Sequence, residues 1–334
     1  MTAVSHNSFW KGRRVLVTGA NGFLAGWVVK LLLERGAYVV ALIYQKNPVS
    51  VFETEGLNKL AEVIYSDILD FESMKRLLKF HDIETVFHLG AQAICKVAFE
   101  DPTATLDANI RGTINILEAV RVTSPKIELV VASSDKAYGI HKKLPYEESA
   151  PLHGEFPYEV SKSCADLISQ MYHLTYGLKV CIVRSGNLYG GGDAHFSRIF
   201  PNTIRRLLRN ARPIISNNSV RDYLYVEDAA AGYVSLAEHV SEWKGEAFNI
   251  GCEKPISNKE VISTIAKAMQ KKIPPLRLNE RTEEIPNQYL SCKKIRRSIG
   301  WKPKVSFEEG TKRTVEWYQN FFKGKNIRKL PVSD

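Results

Sequence analysis

The residues with the clearest chemical meaning are Tyr158 and Lys162, which stand four positions apart in the segment YEVSK. On a helix, residues with this spacing lie on the same face, so the phenol and the ammonium can act together. Free tyrosine has a pKa of about 10 and is a poor base at neutral pH, but nearby positive charge favours the phenolate. The pair therefore predicts a tyrosinate that takes a proton from a hydroxyl while hydride leaves the same carbon. A tyrosine four residues before a lysine also occurs by chance, so the prediction becomes specific only together with the neighbouring motifs.

Ser134, Asp135 and Lys136 follow an apolar run that reads as a strand. Ligands of parallel α/β folds bind at the carboxyl ends of strands, so we expect these side chains in the same site as Tyr158. The Ser134 hydroxyl can hydrogen-bond the reacting oxygen, while Asp135 and Lys136 combine an acid with a base. The alternative is a surface turn that holds a salt bridge.

A glycine-rich turn, TGANGFLAG over residues 18–26, separates a predicted strand from a predicted helix. Gly19 and Gly22 allow a tight turn and a close approach of the backbone to a pyrophosphate, towards which the helix directs its free N–H groups. The next strand is followed by Tyr44-Gln45-Lys46 and lacks the acid that often binds the adenosine ribose. The turn therefore predicts a dinucleotide site, and these residues leave both NAD and NADP open.

The scaffold for these residues alternates short strand-like runs with amphipathic helices. The predicted strands cover residues 14–18, 38–43, 62–65, 85–89, 127–132, 179–184 and 221–226, and the predicted helices cover residues 22–35, 72–80, 103–122, 158–176, 200–210 and 226–239. Strands that alternate with helices predict an α/β fold with a doubly wound parallel sheet of the Rossmann type. After residue 186 the alternation breaks, and prolines are expected to divide the tail into short elements. We predict a dinucleotide-binding domain over residues 1–186, with a later return around 220–250, and a smaller substrate domain over residues 187–334.

The composition is that of a soluble globular protein, with 44% hydrophobic and 25% charged residues. We find no apolar run near the roughly 20 residues that cross a bilayer, and no apolar signal core at the N-terminus. The five cysteines are scattered without metal-ligand spacing, so we expect reduced thiols, no metal and a cytoplasmic location. Residues 271–334 carry 16 Lys and Arg against 7 Asp and Glu. Such a region attracts anions, but no nucleic-acid motif accompanies it, and we expect no nucleic-acid or membrane partner.

Several segments, taken together and in order, resemble the extended short-chain dehydrogenase/reductases, a family of NAD-dependent epimerases and dehydratases. They are TGANGFLA, FHLGAQ (87–92), NIRGT (109–113), SSDKAYG, YEVSK, RSGNLYGGGD (184–193) and RDYLYVEDAA (221–230). The resemblance implies a doubly wound N-terminal domain, a C-terminal domain for a nucleotide-linked sugar, and tightly held NAD that is recycled. It also implies a homodimer or a dimer-based oligomer, built through the helices at 103–122 and 158–176.

Matching to the family's motifs implies roles for individual residues. The catalytic set is Ser134, Asp135, Lys136, Tyr158 and Lys162. The cofactor-binding set is Gly19, Asn21, Gly22, Phe23, Leu24, Asp67, Ile68, Leu89, Ala91, Gln92, Tyr158 and Lys162, with Asp67 and Ile68 beside the adenine. The residues that face the nucleotide or diphosphate of the substrate are Asn187, Arg198 and Arg221. Arginine suits this role because its planar fork matches phosphate oxygens.

The Asp135-Lys136 pair distinguishes between activities within the family. A 4-epimerase returns the hydride to the opposite face of the sugar and needs no further acid or base. A 4,6-dehydratase must also remove the C5 proton and expel the C6 hydroxyl, and Asp-Lys at this place resembles the CDP-glucose type of dehydratase. We therefore expect a nucleotide-sugar 4,6-dehydratase with CDP-glucose as the favoured substrate. The alternatives are a 4-epimerase or reductase of the same family, and a catalytically silent dinucleotide-binding protein.

Overall fold

The computed structural model describes residues 7–215, 219–277 and 285–323. The helices in these ranges are α1 (Asn7–Trp10), α2 (Phe23–Glu34), α3 (Val51–Thr54), α4 (Phe71–Phe80), α5 (Cys95–Glu100), α6 (Pro102–Leu106), α7 (Gly112–Thr123), α8 (Pro157–Tyr176), α9 (Ile199–Leu208), α10 (Val226–Ala237), α11 (Asn258–Ala268), α12 (Lys293–Ile299) and α13 (Phe307–Phe322). The strands are β1 (Arg14–Thr18), β2 (Tyr38–Ile43), β3 (Glu62–Tyr65), β4 (Thr85–His88), β5 (Glu128–Ala132), β6 (Lys179–Ser185), β7 (Asn187–Tyr189), β8 (Ile214–Ile215), β9 (Val220–Tyr225), β10 (Ala247–Ile250), β11 (Pro255–Ser257), β12 (Leu276–Arg277) and β13 (Asn287–Gln288).

The central element is a seven-stranded parallel sheet with the strand order β10-β6-β5-β4-β1-β2-β3. The chain runs outwards from β1 in one direction and then from β4 in the other, which is the doubly wound topology. The predicted fold class is confirmed, and the predicted strands of the first half agree with β1 to β6 to within one residue at each end. The switch point lies between the carboxyl ends of β1 and β4, where Thr18 stands opposite His88.

The strands β1 to β6 of the central sheet direct alternate side chains into two separate apolar cores. In β1, Val15 and Val17 belong to the core that includes α2 and α10, whereas Leu16 belongs to the core that includes α4 and α7. Because both faces are covered, the strands read as continuous apolar runs in the sequence. The packed layers fix the strand ends, and with them the loops that carry the predicted site.

A second sheet is built around β9, with β7, β11 and β13 as its other strands. Together with α9, α11 and α13 it encloses a third apolar core. Between these elements the chain returns to the first part of the molecule, because α10 packs in the first core and β10 pairs with β6. The predicted division into two domains, with a boundary after residue 186 and a return around residues 220–250, stays a prediction.

Two regions differ from the sequence-based expectations. The single helix predicted over residues 103–122 is divided into α6, a π-helical stretch (Asp107–Arg111) and α7. The proline-rich tail is not made only of short elements, since α13 is a regular helix of 16 residues. Ser306 caps α13 by accepting a hydrogen bond from the N–H of Glu309.

Candidate active site

The glycine turn after β1 brings two loops into close contact. Gly19 has a φ of +65°, and a Cβ at this position would lie 2.7 Å from the Cα of Gly90, so only glycine fits without strain. The N–H of Gly22 donates to the carbonyl of Gly19 at 2.7 Å and closes the turn. Gly22 is also the N-cap of α2 and provides no side-chain cap. The first N–H groups of α2 therefore remain available to an anion, as a dinucleotide pyrophosphate requires.

Asn21 connects this turn to the loop after β2. Its side-chain amide donates to the carbonyl of Gln45, and the amide of Asn47 donates to the carbonyl of Asn21. Phe23 and Leu24 are half-buried at the start of α2 and pack against the first core. These contacts shape the predicted cofactor loop, and a direct contact of Asn21 with the pyrophosphate stays a prediction.

The predicted adenine residues lie directly after β3. The carboxylate of Asp67 accepts a hydrogen bond from the N–H of Leu69 at 2.9 Å. The side chain of Ile68 packs against Gly112, where a Cβ would lie 2.5 Å from Ile68 Cδ1. The amide of Asn115 also holds this loop by donating to the carbonyl of Ile68. Asp67 and Ile68 are thus placed at the carboxyl edge of the central sheet.

Leu89, Ala91 and Gln92 form the loop after β4, on the other side of the switch point. The N–H of Leu89 donates to Thr18 Oγ1 at 3.1 Å. The backbone of Gln92 is held from both sides by Asn109, whose Oδ1 accepts from the N–H and whose Nδ2 donates to the carbonyl. The π-helical stretch that carries Asn109 therefore supports the predicted cofactor loop.

Ser134, Asp135 and Lys136 lie in a short 3₁₀ turn that follows β5. Ser134 Oγ accepts from the N–H of Lys136 and donates to Asp135 Oδ1, both at 3.2 Å. Asp135 is 1% exposed, and its Oδ2 has no hydrogen-bond partner among the described residues. Burial raises the pKa of Asp135 to about 7, although the positive charge of Lys136 opposes the shift. A carboxyl group with this pKa is largely protonated below neutral pH and can donate a proton.

Tyr158 and Lys162 lie one turn apart near the start of α8. Lys162 is buried, and its Nζ donates to the carbonyl of Ala132 at the end of β5, at 2.9 Å. Burial lowers the pKa of Lys162 to about 8. Burial raises the pKa of Tyr158, and Asp135 adds to this shift, while hydrogen bonding with Ser134 lowers that pKa. The fold therefore brings the predicted catalytic residues together.

Arg198 lies near Tyr158, the predicted catalytic tyrosine. It is the N-cap residue of α9, and its guanidinium donates to the carboxylate of Asp193 at 3.3 Å and to the carbonyl of Ala93 at 3.4 Å. Its positive charge lowers the pKa of Tyr158. The sequence had pointed to Lys162 for this effect, and the structure adds Arg198 as a second source of positive charge.

Arg221 and Asn187 lie on neighbouring strands of the second sheet. Arg221 is 3% exposed, and its guanidinium donates to the carbonyl oxygens of Val220 and Pro286. Its charge lowers the pKa of Asp135, which lies in the 3₁₀ turn that follows β5. Asn187 begins β7 and is half-buried. Their contact with a substrate stays a prediction.

A buried ion pair that the sequence reasoning did not single out joins α8 to β6. Arg184 forms two hydrogen bonds with the carboxylate of Asp166, at 2.8 and 3.0 Å. Arg184 also donates to the hydroxyl of Tyr138 at 2.9 Å, and this hydroxyl donates to Asn249 on β10. The planar guanidinium of Arg184 thereby fixes α8 against the 3₁₀ turn that follows β5 and contains Tyr138. Arg184 and Tyr138 stand in the motifs RSGNLYGGGD and SSDKAYG, but no local pattern pairs them.

The doubly wound sheet, the glycine turn at its switch point and the Ser-Tyr-Lys set define an extended short-chain dehydrogenase/reductase. The sequence model of the GDP-mannose 4,6 dehydratase family matches residues 16–314, and the chain belongs to this family. Members of this group include nucleotide-sugar dehydratases and 4-epimerases, as the relatives below illustrate.

The relatives divide between two activities. The CDP-glucose 4,6-dehydratase of Salmonella typhimurium is 29% identical over 98% of this chain and 97% of its own. The putative UDP-glucose 4-epimerase of Methanocaldococcus jannaschii is 32% identical over 92% of this chain and 98% of its own. A solved structure of the dTDP-glucose 4,6-dehydratase of Streptomyces venezuelae, with NAD bound, is 25% identical and has a TM-score of 0.85 over 93% of this chain and 98% of its own.

Within residues 7–215, 219–277 and 285–323, no helix has the length and apolar character needed to cross a membrane. The same part of the chain contains no group of three or more His, Cys, Asp or Glu side chains that could hold a metal ion. All five cysteines are free thiols.

Proposed function

We propose that this protein is a nucleotide-sugar 4,6-dehydratase that converts an NDP-hexose, with CDP-glucose favoured, to an NDP-4-keto-6-deoxyhexose. The reaction oxidises C4 and eliminates water across C5 and C6, and then adds hydride at C6 while the proton that Lys136 removed returns to C5. The observation that carries the proposal is the buried, readily protonated Asp135 beside Ser134 and Lys136. A 4-epimerase has no step that needs this acid, whereas a dehydratase must expel a hydroxyl.

The proposed cofactor is NAD, which takes up hydride from C4 and supplies it again at C6. The backbone of Gly19 and Gly22 and the free N–H groups of α2 would hold its pyrophosphate. The adenine would lie beside Asp67 and Ile68, and the loop after β4 would line the centre of the cofactor. Because the end of β2 carries no acid to repel a 2′-phosphate, NADP is the comparison cofactor in each binding experiment.

Gly19→Ala tests the close contact of the two cofactor loops. We expect it to lower the melting temperature and to weaken NAD binding by about tenfold or more, because the new Cβ must displace the backbone of Gly90. Gly56→Ala is the matched control, since Gly56 has a φ of +71° with open space at the Cβ position. It shares the backbone strain of about 1–2 kcal/mol without a clash. Equal effects of the two variants on NAD affinity would contradict this role of Gly19.

Tyr158 is the proposed base for the C4 hydroxyl of the sugar, and Ser134 orients that hydroxyl. Lys162 would hold the nicotinamide ribose, because its Nζ is fixed by the carbonyl of Ala132. The positive charges of Lys162, Arg198 and a bound nicotinamide favour the phenolate over the phenol. This counteracts the upward shift of the Tyr158 pKa that burial causes.

Elimination of water requires an acid and a base on the turn after β5. The carbonyl formed at C4 makes the C5 proton acidic, and Lys136, as the neutral amine, is the proposed base that removes it. Asp135 donates its proton to the C6 hydroxyl, so the bond from C6 to oxygen breaks and water leaves. The burial of Asp135 supports this assignment, because desolvation keeps the carboxyl protonated near neutral pH.

Asn187, Arg198 and Arg221 are the proposed contacts of the nucleotide and diphosphate. Arg198 lies beside Tyr158, so it can bind a diphosphate whose sugar presents C4 to the tyrosine. Arg221 lies on β9 of the second sheet, and its positive charge acts on Asp135. The preference for cytidine comes from the Asp-Lys pair and from the resemblance to CDP-glucose dehydratases.

Mass spectrometry of the products tests the function directly. The protein is incubated with NAD and a panel of nucleotide hexoses that includes CDP-glucose. Loss of one water from a single substrate would establish the dehydratase and identify its nucleotide. An isomeric product of unchanged mass would favour the 4-epimerase, the activity in the name of the 32% identical relative. Absence of any reaction across the panel would overturn the proposed dehydratase.

We further propose a homodimer, or a dimer-based oligomer, built through α7 and α8. Leu167, Met171 and Leu174 follow one another at helical spacing on α8 and are 54%, 40% and 81% exposed. Val122 on α7 is 45% exposed. A row of exposed apolar side chains on one helix is typical of an interaction surface.

The double variant Leu167→Glu, Leu174→Glu is expected to be monomeric, because it places charge on the proposed dimer face. Phe80→Glu is the control, since Phe80 is 82% exposed at the end of α4 and outside that face. Size-exclusion chromatography with light scattering measures the masses. A monomeric wild type, or a dimer that survives both charges, would contradict the proposed interface.

We place the protein in the cytoplasm and propose no nucleic-acid or membrane partner. Its five free thiols suit a reducing compartment. The excess of basic residues after position 271 suits an anionic nucleotide sugar instead, because the field of the protein attracts such a substrate.

A further inference from the structure

We infer that His88 is a neutral imidazole that carries its proton on Nε2. Through hydrogen bonds of fixed direction, its ring joins the glycine turn after β1 to α8, the helix that carries Tyr158. His88 ends β4 at the switch point of the sheet and is 3% exposed. The contribution of this hydrogen-bond network to catalysis rests on the proposed function. The position of the proton follows from the hydrogen-bond geometry alone.

The Nδ1 side of His88 is determined by Thr18. Thr18 Oγ1 accepts hydrogen bonds from the backbone N–H groups of Leu89 at 3.1 Å and Gly90 at 2.9 Å. A hydroxyl oxygen has two lone pairs and one proton, so both acceptor positions are used. The remaining proton points to His88 Nδ1, which lies 2.9 Å away. Nδ1 therefore accepts a hydrogen bond and carries no proton.

The Nε2 side is determined by Thr113. Thr113 Oγ1 lies 2.6 Å from the carbonyl oxygen of Asn109, and because a carbonyl can only accept, the Thr113 hydroxyl must donate. The same oxygen lies 3.1 Å from His88 Nε2 and accepts from it. Nε2 therefore carries the proton, and the two sides assign the same tautomer independently.

The network continues from Asn109 to the catalytic helix. The side-chain amide of Asn109 donates to the carbonyl of Gln92 and to Ser161 Oγ, both at 2.9 Å. Ser161 Oγ in turn donates to the carbonyl of Tyr158 at 2.7 Å. One polar network thus extends from Thr18, next to the glycine turn, to the backbone of the catalytic tyrosine.

The charge on Lys162 requires a neutral His88. A protonated imidazole would repel the ammonium of Lys162, and its Nδ1–H would meet the proton of Thr18. Burial lowers the pKa of His88 to about 3, and Lys162 lowers it as well. His88 is a positioning residue, since it acts through the loop of Gly90 and the π-helical stretch of Asn109.

Nitrogen-15 NMR of the histidine rings tests the proton position without any substrate. We expect the ring of His88 to show the Nε2–H tautomer unchanged from about pH 8 to about pH 5, where an ordinary histidine is protonated. The spectrum of His88→Phe identifies the signal. An Nδ1–H tautomer, or protonation near neutral pH, would overturn the inference.

Two variants of His88 each keep one of its two side-chain hydrogen bonds and remove the other. His88→Asn places an acceptor near the position of Nδ1 and keeps the contact with Thr18, whereas His88→Gln places a donor near Nε2 and keeps the contact with Thr113. We expect His88→Asn to retain NAD affinity but to lower kcat about tenfold, and His88→Gln to raise the Kd for NAD about tenfold but to retain kcat. His88→Phe keeps an aromatic ring without either hydrogen bond, and it is expected to lose both NAD affinity and kcat.

The split between the variants distinguishes positioning from a general loss of stability. If all three variants lose NAD affinity and kcat in proportion to a lower melting temperature, His88 is only structural and the inference fails. If the wild type binds NAD but turns over no nucleotide sugar, the proposed function fails. The NMR spectrum and the NAD titrations then still decide the role of His88.

Discussion

Tyr158→Phe is expected to abolish turnover while NAD remains bound with unchanged affinity. The variant removes only the hydroxyl, so the ring keeps its place near the start of α8. A positioned general base contributes about 10²–10⁴ in rate, and kcat is expected to fall by at least this factor. Measurement of kcat on the substrate found in the panel, together with titration of NAD, checks both parts.

Tyr176→Phe is the matched control for this variant. Tyr176 lies at the other end of the same helix and is 50% exposed, so loss of its hydroxyl should leave kcat and NAD binding unchanged. If Tyr158→Phe turned over normally, Tyr158 would have no part in the mechanism. If it lost NAD binding instead, its effect would be one of cofactor affinity.

Asp135→Asn is expected to permit oxidation at C4 but to slow the loss of water by about 10²–10⁴. Asparagine keeps the shape of the buried side chain and cannot supply the proton that the C6 hydroxyl needs. NADH is therefore expected to accumulate on the enzyme, which its absorbance measures. Glu147→Gln, an exposed carboxyl change nearby, should cause no accumulation.

Lys136→Ala distinguishes the role of the proposed base from that of the proposed acid, Asp135. Both variants should trap NADH, but only Asp135→Asn should still exchange the C5 proton of the sugar with deuterium from the solvent, because Lys136 remains to remove it. Mass spectrometry of the recovered sugar measures this exchange. Normal dehydration by Lys136→Ala, or exchange that continues in it, would remove Lys136 from the mechanism.

The raised pKa of Asp135 gives the pH dependence a definite sign. The protonated acid is the active form, so the rate of dehydration should fall as the pH rises above about 7.

The same carboxyl also makes the stability of the fold depend on pH. Its stabilising contribution is complete below the pKa of about 4 that it has in the unfolded chain, and this contribution is lost as the pH rises towards the pKa that it has in the folded protein. Urea unfolding at high pH should therefore show Asp135→Asn to be more stable than the wild type, by an amount on the order of 4 kcal/mol. Equal stability of the two proteins at high pH would contradict the burial of an ionisable carboxyl.

The scaffold could be predicted because its signals are local. The strands β1, β2 and β4 to β6 are buried on both faces, so each appears in the sequence as an apolar run bounded by turn residues. The edge strand β3 is only partly buried. The glycine turn and the Tyr158–Lys162 spacing are likewise local, since they depend on one turn or one helix. The strand β10 was not predicted, because its four residues carry no pattern apart from the sheet that they join.

The sequence by itself determined the fold class, the glycine turn, the catalytic turn and the tyrosine-lysine helix. Only the tertiary structure placed Arg198 beside Tyr158, paired Asp166 with Arg184, and set the proton of His88 through Thr18 and Thr113. The physical reason is that propensity and spacing act between near neighbours along the chain. The pKa of Asp135 and the direction of a hydrogen bond depend instead on burial and on partners from distant elements, which meet only when the layers pack.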